Sequence, residues 1–146
     1  MNLITQFPAL PAFVFALLAL FIKTSATSML QVISRIRANT FLLPEDAKLL
    51  RTTTVTREAD FVARCANVWR NDVENLPLFL MLALTYVLLG APAESAQLLF
   101  GIYVALRYAH TIVYLRALQP WRAIMYLSGL AVCWVIAYRC VLLVLV

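Results

Sequence analysis

The stretch WRNDVENLPLFLML, Trp69 to Leu82, decides how this chain is read. Arg70, Asn71, Asp72, Glu74 and Asn75 run directly into an apolar segment, with no Gly and no turn cluster between the halves. Gly and Pro are the strongest loop markers, and of these two only a single residue, Pro77, stands at this junction. The segment therefore reads as one helix that crosses from water into lipid. Pro77 removes one backbone hydrogen bond there and gives the helix a place to kink.

Composition supports lipid as the second solvent. Hydrophobic residues make up 64% of the 146 positions and charged residues 13%, with a mean hydropathy of +0.87. Soluble domains are about half apolar and about a quarter charged, so lipid must cover much of this surface. The net charge of +5 comes without a basic run or an RNA-binding signature. Nucleic acid is not the expected partner; basic residues at membrane borders or in a polar pocket account for the charge. Cys65, Cys133 and Cys140 are odd in number, and the last two lie in an apolar run, where they act as small hydrophobes. With one histidine, His110, and no CxxC or HxxxH spacing, no metal site is expected.

Working outward, four segments have the length and apolarity expected of membrane helices, at about 8–37, 57–89, 95–118 and 120–146. They form one expected transmembrane domain, all-α, over residues 1–146. The first apolar stretch, Phe7 to Ile22, has no Lys or Arg before Lys23, so it reads as a retained helix rather than a cleaved leader. Its second half sets Thr24, Thr27, Ser28, Gln31 and Arg35 on one helical face, expected to turn inward. The hydrophilic connection FLLPEDAKLLRTTTVT follows, where Pro44 and the Thr run are expected to break helical pattern. Gly90 and Pro92 make a short turn, and Pro120 fits the first turn of the last helix. Arg37, Lys48, Arg51, Arg57 and Arg64 flank the first connection, Arg116 and Arg122 the third, and the second has no basic residue. Connections one and three are therefore expected on the cytoplasmic side.

Ionisable groups inside a membrane helix cost about 2.5–3.5 kcal/mol on insertion scales, so they are normally buried against protein or water. Arg107, His110 and Tyr114 sit at i, i+3 and i+7, on one face of the third segment, with Thr111 beside them. Such a stripe serves either helix–helix hydrogen bonding or a ligand. Arg70 and Glu74 form an i, i+4 set that could equally be a solvated helix end. Arg122 and Tyr126 lie at the start of the fourth segment, where the backbone dipole favours an anion; Trp121 and Tyr126 also suit an interfacial belt, and Arg35 could snorkel. Taken together, every segment places an arginine toward one border. That cluster, with Glu74, suits a zwitterionic, anionic ligand, guanidinium forks on carboxylates and the acid on an ammonium.

Four pieces carry a family resemblance: PEDA (Pro44–Ala47), RNDVEN (Arg70–Asn75), RYAHTIVYL (Arg107–Leu115) and QPWRA (Gln119–Ala123). In this order the chain resembles the MAPEG family, the membrane-associated proteins of eicosanoid and glutathione metabolism. The resemblance implies an integral-membrane four-helix bundle assembled as a homotrimer, with glutathione between subunits. It implies that Arg35, Arg70, Asn71, Glu74, His110, Tyr114, Arg122 and Tyr126 bind glutathione, that Arg122 and Tyr126 are catalytic, and that Asp46 and Arg107 support the site. The implied reaction is attack of the glutathione thiolate on a hydrophobic electrophile or lipid peroxide from the bilayer, in the endoplasmic reticulum or a bacterial inner membrane. A prostaglandin-synthase type isomerase and a non-catalytic lipid-binding scaffold are the other readings. The chain departs from the family pattern at Ala63 and Asn67, where many members carry Glu and Arg, and at Ala123, where a serine occurs in the prostaglandin-synthase branch.

Overall fold

The structure, a computed structural model, describes residues 3–145. Among these the chain is all-helical: α1 (Leu3–Gln6), α2 (Leu10–Ala38), α3 (Pro44–Leu49), α4 (Asp60–Leu88), α5 (Ala93–Leu115) and α6 (Trp121–Leu145). Only an isolated bridge between Phe41 and Thr54 interrupts the helical character.

α4 answers the question posed by its sequence. It runs unbroken from Asp60 through Pro77 to Leu88, because its inward residues form one stripe along the whole length. Val62, Cys65, Val68, Asp72, Leu76, Phe79, Ala83 and Tyr86 are all buried at helical spacing. The charged first half is thus amphipathic, and its inward face is apolar except for Asp72. Gly90 at φ 79° ends the helix, with its N–H and that of Ala91 donating to Val87 O and Tyr86 O. This is the left-handed cap at which glycine has no steric cost.

Among the described residues three helices, α2, α5 and α6, are long and apolar enough to cross a membrane. α4, the other segment expected to span, carries more charge than these three. Its uncharged part, 76–88, is about 20 Å long, and Arg70, Asp72 and Glu74 precede it in the same helix. It packs against α2, α5 and α6. The first connection differs from expectation. Pro44 does not break a helix there but opens α3 at its first turn, followed by Glu45 and Asp46 at the positive end of the dipole.

The packing is parallel in pairs. Along α2 and α5, Ala12–Ala19 face Gln97–Val104 and Lys23–Leu30 face Tyr108–Leu115. Along α4 and α6, Leu78 and Leu82 face Leu130 to Ala137. Between α4 and α5 the core is aromatic: Phe79 stacks on Tyr103 with centroids 3.7 Å apart, and Phe100 meets Phe79 and Tyr86 edge-on at 5.7 and 6.4 Å. Hydroxyls in these segments bond inward to their own helix. Thr24, Thr27, Thr85 and Thr111 each donate to a carbonyl one turn back, the arrangement a lipid solvent requires.

Candidate functional site

A polar layer crosses the four long helices at one level. α2 contributes Lys23, α4 Asn71 and Asp72, α5 Tyr103 and Arg107, and α6 Gly129. Lys23 and Asp72 form an ion pair in which both side chains are almost wholly buried. Neither residue entered the candidate site from the sequence. The signal was present: Lys23 falls in phase with the buried Ala16, Leu20 and Thr27, and an intramembrane cation calls for an acid. It displaces part of the expected polar face on α2. Thr27 is buried, but Thr24, Ser28, Gln31 and Arg35 are only half-buried.

Arg107 makes different contacts. It is 3% exposed, and its Nε donates to Tyr103 Oη and its Nη1 to Asn71 Oδ1, both at 3.0 Å. Tyr103 Oη in turn donates to Asn75 O at 3.4 Å, and Asn75 Nδ2 donates to Asn71 O at 2.8 Å. Among the described residues no carboxylate pairs with Arg107, because Asp72 is held by Lys23. Gly129 of α6 lies beside the guanidinium, where a Cβ would stand 3.9 Å from Nε, in ordinary contact.

One turn along α5, His110 is 2% exposed and its Nδ1 has no hydrogen-bond partner. Its ring meets Tyr114 edge-on at 5.7 Å. Arg122, at the start of α6, lays its guanidinium 4.7 Å from the centroid of the Tyr114 ring, a cation–π contact worth about 0.5–1 kcal/mol when exposed. With the Gln119 amide in the orientation that suits both groups, its oxygen accepts from Arg122 Nη2 at 2.8 Å and Nε at 3.1 Å. Arg107, His110, Tyr114 and Arg122 thus form a ladder from the buried layer to the end of α5, with Asn71 joined at its foot. Tyr126 is half-buried one turn beyond Arg122.

The remaining candidates lie apart from that ladder. Arg70 and Glu74 are exposed on α4, and no ion pair joins them among the described residues, contrary to the pairing that their spacing allows. Arg35 is paired with Glu58, Nη2 to Oε1 at 2.6 Å, with Arg35 Nε and Glu58 Oε1 left without an aligned hydrogen bond. Both line a cavity of about 290 Å³ with Asp46. Arg35 and Asp46 therefore share one site, on the face of α2 and α3, separate from the ladder of α5 and α6. An apolar cavity of about 230 Å³ opens between α4 and α6, walled by Leu78, Leu82, Leu130, Cys133 and Trp134, with Arg107 and Asn75 at its polar edge.

The MAPEG family pattern matches residues 10–142, nearly the whole described chain. This chain belongs to the MAPEG family. It is 34% identical over 126 residues to the human prostaglandin E synthase, covering 86% of this chain and 83% of that one. The horse prostaglandin E synthase is 36% identical over 119 residues, covering 81% and 78%. Human microsomal glutathione S-transferase 1 is 34% identical over 123 residues, covering 81% and 77%. Family membership and three membrane-capable helices make the MAPEG chain an integral membrane protein.

Proposed function

We propose that this MAPEG protein is a membrane-bound glutathione transferase that joins the glutathione thiolate to hydrophobic electrophiles, with peroxide reduction open to the same thiolate. The observation that carries the reading is the ladder of Arg107, His110, Tyr114 and Arg122. It runs from a buried polar layer, where Arg107 edges an apolar cavity, to the helix end at Arg122. A soluble tripeptide can bind at the polar end, and a lipid-dissolved substrate can approach from the apolar side. The named relatives, a glutathione S-transferase and prostaglandin E synthases, agree with that chemistry.

In this reading Arg122 faces the sulfur. A free thiol has a pKa near about 8.5, and an adjacent cation or helix N-terminus lowers it, so the nucleophilic thiolate is populated at neutral pH. Arg122 combines both, one residue into α6. Its contacts with Tyr114 and Gln119 hold the guanidinium in place before substrate arrives, and a preorganised charge stabilises the thiolate without reorganisation cost. Tyr126, one turn on, is the hydroxyl available to the same sulfur. The unpaired His110 Nδ1 is a buried polar atom of the kind a ligand satisfies. Asn71, Arg70 and Glu74 take the peptide's amide, carboxylate and ammonium groups. With an aryl halide the sulfur–carbon bond forms as halide leaves.

Arg35 does not reach this ladder within one chain, being held at Glu58 beside Asp46. In the proposed homotrimer the Arg35–Asp46 face of one four-helix bundle meets the ladder of its neighbour, so that glutathione lies between subunits. The site is then on the cytoplasmic side, where the arginine-rich connections lie. The second reading, a glutathione-dependent isomerase, is favoured by the prostaglandin E synthases, which match at the same identity as the transferase. Turnover of 1-chloro-2,4-dinitrobenzene against isomerisation of a lipid endoperoxide separates the two. Calorimetry that detects no glutathione binding to the purified protein in detergent overturns both.

A further inference from the structure

We infer that Arg107 is a positioning residue that fixes the Asn71 amide so that Asn71 can only donate to the ligand. The inference rests on the reading that glutathione occupies the site, and it states what one wall of that site recognises.

A guanidinium carries five N–H donors and no acceptor. The side-chain atom of Asn71 that lies 3.0 Å from Arg107 Nη1 must therefore be the oxygen, Oδ1. The amide's nitrogen then points away from Arg107. Among the described residues nothing accepts from that nitrogen, although Asn71 is only half-buried. Two N–H donors are left for whatever enters the site. A free asparagine amide turns over to suit donor or acceptor alike; this one cannot while Arg107 stays in place.

Arg107 is itself held by Tyr103. Tyr103 Oη accepts its Nε, and that hydroxyl is tied back to the α4 backbone at Asn75 O. Its charge lies 5.1 Å from the centroid of the Tyr103 ring. Asp72, the adjacent acid that could draw Arg107 off, is occupied by Lys23. The buried ion pair therefore keeps the guanidinium free to hold a neutral amide, and Asn71 presents N–H groups to an acceptor oxygen, a carboxylate or peptide carbonyl of the tripeptide. Ammonium recognition is left to Glu74, exposed three residues along the same helix.

Asn71→Asp tests this directly. The aspartate keeps an oxygen toward Arg107 and gives that guanidinium the carboxylate it lacks, so the melting temperature is expected to equal or exceed wild type. The second oxygen replaces the donors with an anionic acceptor, so glutathione affinity by calorimetry is expected to fall on the order of ten- to a hundredfold. Wild-type affinity in Asn71→Asp overturns the inference, as does a lowered melting temperature, which would mean that Arg107 does not hold that oxygen. In a second arm, Arg107→Met is expected to raise KM for glutathione with kcat at saturation retained, the signature of lost uniform binding. Arg107→Lys, which still donates to Oδ1, is expected to restore most of it. Should Arg107→Met not fold, the Asn71→Asp pair of measurements decides alone. Wild-type protein that binds no glutathione fails the proposed function itself, before either variant is compared.

Discussion

Lys23, Asp72 and Arg107 are each 3% exposed or less, whereas Arg70, Glu74 and Arg122 of the same chain are exposed. The buried set is matched within the protein: a lysine to an aspartate, an arginine to a tyrosine and an asparagine. Of the exposed set, Arg122 leans on neutral partners, Tyr114 and Gln119, and Arg70 and Glu74 have no ion-pair partner among the described residues. In lipid a charge without internal partners is expensive, so the buried charges had to be matched to fold. Arg70 and Glu74 lie within one turn of Asp72 on α4 but on its outward face, and there they are free to bind something else.

The largest effect separating these sets should come from Lys23→Met. Removing one partner of a buried pair leaves the other charge uncompensated, which costs about 3–5 kcal/mol. Asp72→Leu should cost the same, whereas the double variant should recover most of the loss, because two apolar groups leave nothing unpaired. Denaturation of all three in the same detergent checks this. Equal stability of the single variants and wild type would mean that the pair is solvated, and the contrast with the exposed set would collapse.

Arg122→Ala sharpens the contrast from the other side. Under the proposed function it should lower kcat about 10²–10³-fold, the range for removing one donor to a developing anion. Its side chain is exposed, so the melting temperature should stay near wild type. The thiolate absorbance of bound glutathione should vanish while binding weakens less. Glu74→Ala comes next: affinity should fall on the order of tenfold, one charged hydrogen bond, with kcat retained at saturation. Full turnover of an aryl halide by both variants would remove the exposed set from the site.

Part of this contrast could be read from the sequence. The unbroken α4 was legible because acids and amides at helical spacing, with no turn cluster, leave a helix as the simplest continuation. Arg107 and His110 were legible as a buried stripe, since their spacing is local to α5. Lys23 and Asp72 were not paired, because 49 residues separate them and no local spacing encodes a contact between helices. The same holds for Arg35 and Glu58 across the first connection. α3 was missed for another reason: Pro44 stops a preceding helix and starts a following one equally well.

The smallest predicted effect tests whether partnering extends to the outer surface. Tyr108 lies on the outward side of α5 and is itself exposed, yet its Oη donates to the Ala19 carbonyl of α2 at 2.8 Å. That carbonyl already serves the α2 ladder, so the bond adds a link between helices rather than rescuing an orphan. Interhelical hydrogen bonds in membrane proteins average about 0.6 kcal/mol, because the separated state also finds partners. Tyr108→Phe should therefore lower stability by about that amount and leave glutathione binding unchanged, a several-fold smaller effect than Lys23→Met. A loss comparable to the Lys23 variant would show that the α2–α5 seam is buried in the assembled protein, and that the boundary between matched and free polar groups lies further out than the single chain shows.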